Sequence, residues 1–178
     1  MSEAYIIDAV RTPVGRRGGG LSDVHPADLG AHAIKGLLDR SGVDPLAVDD
    51  VIMGCLDNMG PQAGDVARTA WLAAGMPESV PGVTVDRQCG SGQQAVSFAA
   101  MGVMSGVQDI VVAGGIQNMS LIPIGSAMDV MGHESIGHPE IEDPFTTSKG
   151  WVDRYGTQEV TQFLSLIHIS EPTRRYAI

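Results

Sequence analysis

Residues 82–104 read GVTVDRQCGSGQQAVSFAAMGVM, and this stretch decides the fold. Residues 82–85 form a short run rich in β-branched side chains, which predicts a strand. From residue 92 to residue 104, apolar side chains lie on almost every side of a helix, which predicts a helix that is buried all round. Cys89 stands between these two segments and is followed by Gly-Ser-Gly. The stretch therefore predicts a strand, a tight turn that carries a cysteine, and a central buried helix.

The remainder of residues 1–117 alternates between short β-forming runs and longer helical stretches. Such alternation is typical of an α/β domain in which helices pack on a mixed, mostly parallel sheet. Glycine or proline follows most of these segments and marks where each one ends. Besides the strand and helix described above, we predict strands at residues 4–10, 51–55 and 110–113, and helices at residues 26–40 and 65–74.

Charge and cysteine usage argue against several classes of function. The net charge is −10 with only 11 Lys and Arg, which disfavours nucleic acid and anionic membrane surfaces as partners. No apolar run approaches the roughly 20 residues that span a bilayer, and no secretory signal is recognisable at the N-terminus. The two cysteines, Cys55 and Cys89, form no C-x-x-C pair, so we predict no metal site and no disulfide. We expect a cytoplasmic protein in which Cys55 is an inert, buried side chain.

Cys89 is the candidate nucleophile for three physical reasons. Backbone N–H groups at the start of a helix favour the thiolate form of a cysteine. The same N–H groups, including that of Cys89 itself, can donate hydrogen bonds to an oxyanion that develops on a substrate carbonyl. Gly90 and Gly92 have no side chains, so a bulky thioester can approach the sulfur. From the residues alone, Cys89 is a possible nucleophile at a strand-to-helix turn.

Three separated motifs resemble those of the thiolase family and occur in the family's order. The segment from Val85 to Ala95 (VDRQCGSGQQA) resembles the thiolase nucleophile motif. Residues 8–15 (DAVRTPVG) resemble the opening strand and turn, and residues 114–120 (GGIQNMS) resemble the Gly-Gly-x-Glu-x-Met-Ser segment. Asp86 stands where many thiolases carry Asn, and Gln117 stands where Glu is usual. These two departures leave the preferred acyl chain open.

The resemblance implies a fold, a reaction and a set of partners. It implies the N-terminal half of a thiolase, with Cys89 as the nucleophile that forms an acyl-thioester during cleavage or Claisen condensation of acyl-CoA substrates. Coenzyme A is then a co-substrate, and no cofactor is bound permanently. The intact enzyme is expected to be a homodimer or homotetramer. Residues 1–117 would form the α/β domain and residues 118–163 the start of the thiolase loop domain.

Several parts of the family's machinery have no counterpart in this sequence. The resemblance places a histidine of a Gly-His-Pro motif and the second cysteine of a Cys-x-Gly motif in the C-terminal half, outside this chain. Gly137-His138-Pro139 reproduces the first motif by chance, too early in the chain. Residues 164–178 resemble a peptide encoded by sequencing-adapter DNA, and we expect them to be non-native. We therefore expect the chain alone to be incomplete as an enzyme and to expose an apolar face.

Three other functions remain open from the sequence. A ketoacyl synthase of the same superfamily also carries a nucleophilic cysteine at the start of a buried helix. A half-thiolase could act as an inactive binding or assembly module, in which Cys89 never becomes acylated. A thiol redox protein would use Cys89 with Cys55, although no second cysteine lies near Cys89 in the sequence.

Overall fold

The computed structural model describes residues 3–129 of this 178-residue chain, with side chains described as far as residue 127. The chain divides into two units, Met1–Ile124 and Gly125–Ile178. In the second unit, the described residues form one short helix, α4 (Ser126–Asp129). The first unit contains α1 (Pro26–Ser41), β1 (Asp50–Gly54), α2 (Val66–Ala73), β2 (Gly82–Val85), α3 (Ser91–Ser105) and β3 (Val111–Gly115), together with short 3-10 helices at Pro45–Ala47 and Gly60–Gln62.

The three strands form one parallel sheet in the order β2-β1-β3. Val51 of the central strand pairs with Gly82 on one side and with Val112 on the other. Because the strands are parallel, their carboxyl ends lie at the same edge, and that edge carries the turn with Cys89. The predicted α/β class and the predicted strands in β1, β2 and β3 are confirmed, each to within two residues.

Helices α1 and α2 cover one face of the sheet. Asp65 begins α2, because its side chain accepts a hydrogen bond from the backbone N–H of Arg68. Gly42 ends α1 in the left-handed conformation (φ 69°), which glycine adopts without steric cost. Trp71 is fully buried, and its indole N–H donates to the carbonyl of Pro77 (2.8 Å). The core on this face contains Ala27, Ala31, Ile34, Leu38, Val51, Met53, Val66, Ala67, Ala70, Trp71 and Val112.

Helix α3 packs on the opposite face, and the prediction that it is buried all round is wrong for the described residues. Its inner side chains, Ala95 and Ala99, pack against Ile52 of β1. Its outer side leaves Phe98 42% and Met101 60% exposed. An all-apolar helix needs cover on every side, and the described residues supply cover on one side only. The predicted exposed apolar face is therefore present on α3.

The predicted strand at residues 4–10 is also wrong. The segment belongs to no strand of the described sheet, and Tyr5 and Ile6 are 77% and 81% exposed. A β-forming composition produces a strand only where a neighbouring edge supplies hydrogen bonds, and no described edge pairs with this segment. Instead, Arg40 of α1 holds it by an ion pair with Asp8 and by a hydrogen bond to the carbonyl of Ala9 (2.6 Å).

Several predictions concern residues that the structure does not describe. The start of the loop domain at 118–163 lies mostly outside the described residues, as do Gly137-His138-Pro139 and the segment 164–178. The domain boundaries therefore stay predictions.

Candidate active site

Cys89 is exposed and lies in the turn that joins β2 to α3. The turn is tight, because the N–H of Gly90 donates to the carbonyl of Arg87 (3.0 Å) and the N–H of Ser91 donates to that of Gln88 (3.1 Å). Gln88 has a positive φ of 48°, a conformation that residues other than glycine rarely adopt. The thiol therefore follows a left-handed residue directly and lies two positions before Ser91, the first residue of α3.

Two side chains hold this turn from either end. The carboxylate of Asp86 accepts a hydrogen bond from the N–H of Gln88 (2.9 Å). The hydroxyl of Ser91 accepts from the N–H of Arg87 (2.8 Å) and donates to the carbonyl of Gln88 (2.6 Å). Side-chain bonds to neighbouring backbone groups are a common way to fix a turn that sterics disfavour. Neither Asp86 nor Ser91 was predicted from the sequence to have this structural role.

A close contact between glycines sets the turn against the sheet. A Cβ atom on Gly54, the last residue of β1, would lie 2.5 Å from the carbonyl oxygen of Ser91 and closer still to the backbone of Gly92. A Cβ on Gly115 of β3 would lie 3.6 Å from the Cα of Gly92. The start of α3 therefore rests directly on the backbone at the carboxyl edge of the sheet. A glycine at a strand end often marks such a close backbone approach, and that signal was available in the sequence.

Cys55 has a different environment from Cys89. It is 2% exposed, and its Sγ lies 3.7 Å from Oε1 of Gln117. Burial, followed by the nearby negative charges of Asp86 and Asp57, raises the pKa of the Cys55 thiol to about 11. Thiolate formation is therefore disfavoured at neutral pH, as expected for an inert side chain.

A buried polar network supports the same edge of the sheet. Asn118 donates from Nδ2 to three carbonyls in the loop before α1, those of Leu21, Ser22 and Val24, at 2.8–3.2 Å. Its backbone N–H donates to Oε1 of Gln62 (2.9 Å), a side chain that is fully buried. The network ties the loop before α1 to the residues after β3. It was not predicted, because its members lie far apart in the sequence and share no periodic pattern.

The described residues also form a cavity of about 350 Å³, which is not lined by Cys89. It lies between residues 10–12, helix α1 and the outer edge of β3. No cluster of His, Cys, Asp or Glu among the described residues has the grouping that a metal ion needs. No described helix is both long and apolar enough to cross a membrane. The candidate site is therefore the Cys89 turn.

Fold and turn together define an α/β domain that presents an exposed cysteine at a strand-to-helix junction. The family model for the thiolase N-terminal domain matches residues 4–161, so the chain belongs to the thiolase family.

Two relatives and one solved structure show the extent of this similarity. The chain is 63% identical over 163 residues to the steroid 3-ketoacyl-CoA thiolase FadA6 of Mycobacterium tuberculosis, an alignment that covers 92% of this chain and 39% of that protein. It is 43% identical over 152 residues to a 3-oxoadipyl-CoA/3-oxo-5,6-dehydrosuberyl-CoA thiolase of Escherichia coli, covering 85% and 37%. The acetyl-CoA acetyltransferase of Bacillus anthracis matches with a TM-score of 0.63 and 45% identity, over 67% of this chain and 30% of that one. The chain thus spans about two fifths of the curated relatives.

Proposed function

We propose that this chain supplies the nucleophile of a thiolase that acts on 3-ketoacyl-CoA thioesters. The observation that carries the proposal is the exposed thiol of Cys89 at the start of α3, in a chain that belongs to the thiolase family. The other cysteine, Cys55, is buried and has a raised pKa, so it is a poor candidate.

The proposed reaction has two half-reactions. The thiolate of Cys89 attacks the 3-keto carbonyl carbon, and the bond between C2 and C3 then breaks. Acetyl-CoA leaves as its enolate and takes up a proton, while the shortened acyl group stays on the sulfur as a thioester. The thiolate of free coenzyme A then attacks this thioester, takes the acyl group and releases Cys89. In the reverse direction, the same steps give a Claisen condensation.

The described residues account for part of this chemistry. Cys89 is exposed, so a bulky thioester can reach its sulfur. The backbone N–H of Cys89 is our candidate donor to the oxyanion of the tetrahedral intermediate. The groups that move protons to and from the thiol and the substrate α-carbon are not assigned to any described residue.

The finer assignments rest on the relatives. Coenzyme A is proposed as a co-substrate rather than a resident cofactor, and a homodimer or homotetramer is proposed for the intact enzyme. The similarity to a steroid 3-ketoacyl-CoA thiolase, at 63% identity, supports a 3-ketoacyl-CoA thioester as the substrate class. A cytoplasmic location is consistent with two free cysteines, Cys55 and Cys89.

Incubation of the chain with acetoacetyl-CoA or with acetoacetyl-acyl carrier protein separates a thiolase from a ketoacyl synthase. The pH is set near 9, where an ordinary thiol is largely ionised without a base. A thiolase predicts an acetyl adduct of Cys89 that forms faster from the CoA thioester, and the Cys89→Ser variant is the matched control.

Two further measurements test the hypotheses of an inactive module and of a redox protein. An inactive assembly module predicts that the native chain is acylated no faster than the urea-denatured chain. A redox protein predicts that mild oxidation, with no thioester present, removes both free thiols. A native rate that exceeds the denatured rate by about tenfold or more is expected from oxyanion stabilisation, and equal rates would refute the proposal.

A further inference from the structure

Ser91 occupies a place in the turn that helix capping does not explain. Gly90 precedes α3 and has no side chain, so it cannot cap the helix with a side-chain hydrogen bond. Ser91 is the first helical residue and is only 4% exposed. Its hydroxyl points back along the chain to Arg87 and Gln88, rather than forward to the N–H groups of the helix.

The hydroxyl of Ser91 uses both of its hydrogen-bonding functions on the turn. It accepts from the N–H of Arg87 (2.8 Å) and donates to the carbonyl of Gln88 (2.6 Å). The backbone N–H of Ser91 reaches the same Gln88 carbonyl (3.1 Å). Ser91 therefore fixes both residues that precede Cys89, including the left-handed Gln88.

Ser91 is in turn held by the sheet. Its backbone packs so closely on Gly54 of β1 that no side-chain atom fits between them. The hydroxyl thus links a rigid element, the carboxyl end of β1 with the start of α3, to the residues that set the direction of the Cys89 backbone. The positions of a nucleophile and its oxyanion donor must be fixed to within a fraction of an ångström. The hydrogen bonds of the Ser91 hydroxyl can fix them, because they connect the turn to the sheet.

We propose that Ser91 is a positioning residue for acyl transfer to Cys89. It touches no reacting atom. By holding the N–H of the Asp86–Arg87 peptide and the carbonyl of the Gln88–Cys89 peptide, it keeps the Cys89 sulfur and the Cys89 N–H in the orientation that a tetrahedral intermediate requires. This inference rests on the proposed function of Cys89.

The first test measures the two hydrogen bonds of the Ser91 hydroxyl, to Arg87 and Gln88, which we call the Ser91 clamp. It needs no enzymatic activity. In the full chain, the Ser91→Ala variant removes the acceptor of the Arg87 N–H, so hydrogen exchange of that amide is expected to accelerate by about tenfold. The N–H of Cys55, which donates to the carbonyl of Val85 (3.1 Å), is the reference for global stability and is expected to keep its rate. An unchanged Arg87 amide would overturn the proposal, whatever Cys89 does.

The second test separates positioning from simple folding support. Alkylation of Cys89 by iodoacetamide has no oxyanion, whereas acyl transfer from acetoacetyl-CoA does. In Ser91→Ala, we expect acyl transfer to fall by about tenfold while alkylation stays within about twofold of the original rate. Ser91→Thr keeps the hydroxyl and is expected to restore acyl transfer. Buried Cys55 reports on unfolding, because it reacts with iodoacetamide only when the core opens.

Each outcome of the second test decides something. Equal losses of acyl transfer and alkylation, or exposure of Cys55 in Ser91→Ala, would make Ser91 merely structural and overturn the proposal. Full acyl transfer in Ser91→Ala would overturn it as well. If the threonine side chain is too large for the site, Cys55 becomes reactive in Ser91→Thr. The result for Ser91→Ala, in a variant whose Cys55 stays unreactive, then decides whether Ser91 is a positioning residue. If the unsubstituted chain forms no adduct, the proposed function is refuted, and with it the positioning role of Ser91. The hydrogen-exchange rate of the Arg87 amide still shows whether the Ser91 clamp exists.

Discussion

Gly54→Ala tests how the sheet holds the Cys89 turn. The new Cβ would lie 2.5 Å from the carbonyl oxygen of Ser91, whereas ordinary contact begins at 3.4 Å. The nearest atom, the carbonyl carbon of Ser91, would lie only 2.2 Å away, so the start of α3 must move by at least 3.4 − 2.2 = 1.2 Å. All the atoms in the way belong to backbone, so no side-chain rotation relieves the clash.

This displacement is expected to affect both stability and reactivity. Overpacking of this kind costs about 3 kcal/mol, so the urea midpoint should fall by about 1.5 M at an m-value of about 2 kcal/mol/M. A shift of about 1 Å in a catalytic group can lower a rate by about a hundredfold, so acyl transfer to Cys89 should fall by that order even where the chain is folded.

Gly36→Ala is the matched control for this substitution. Gly36 lies within α1, is exposed, and has nothing within 4 Å of an added Cβ. Alanine there should stabilise the helix by about 0.5–1 kcal/mol and leave acyl transfer unchanged. Urea unfolding and adduct formation are measured on both variants. A Gly54→Ala chain that keeps its urea midpoint and its acyl-transfer rate would refute the close contact beneath the Cys89 turn.

Three further predictions concern other groups. The pKa of Cys55 is raised from 9.0 to about 11 in the folded chain, so the unfolded chain loses the thiol proton first as the pH rises. The free energy of unfolding should therefore fall between pH 9 and pH 11, by at most about 3 kcal/mol. Urea unfolding of the Cys55→Ala variant should show a smaller fall over that range. Arg40→Ala should release the N-terminal segment from α1, because it removes the ion pair with Asp8 and the hydrogen bond to the carbonyl of Ala9. Faster proteolysis before residue 12 checks this, and equal cleavage rates would contradict it. Asn118→Ala should cost about 2–4 kcal/mol in urea unfolding, because it removes the Nδ2 hydrogen bonds to three part-buried backbone carbonyls, and a loss below about 1 kcal/mol would show that water replaces the amide.

The sequence predicts those parts of the fold whose signals are local. Strands β1 and β2 and helix α2 follow from short apolar runs with glycine, proline or aspartate at their ends, and the structure has them within one residue of the predicted bounds. The position of Cys89 between β2 and α3 was visible for the same reason. The periodicity of apolar residues indicates the conformation of a segment and the side of it that must be buried.

The errors arise where structure depends on distant partners. Residues 4–10 have the composition of a strand, but no described edge pairs with them. Helix α3 is apolar all round, and its composition shows how much surface needs cover but not whether the described residues provide it. The Asn118–Gln62 contact joins residues that are 56 positions apart, so no local pattern announces it.

The Ser91 clamp was missed for a different reason. A serine beside two glycines is typical of many loops, and its sequence neighbours do not reveal the direction of its hydroxyl. Gly54, by contrast, offered a usable signal, since a glycine at the end of an apolar strand often marks a close backbone approach.

The most direct test of the central claim is peptide mapping of the acyl adduct. The chain is incubated with acetoacetyl-CoA, quenched in acid, digested, and analysed for acetylated cysteine by mass spectrometry. We expect an acetyl group on Cys89 and none on Cys55, and we expect free coenzyme A to discharge the adduct. Acetylation of both cysteines at equal rates, or an adduct that persists in Cys89→Ser, would contradict it.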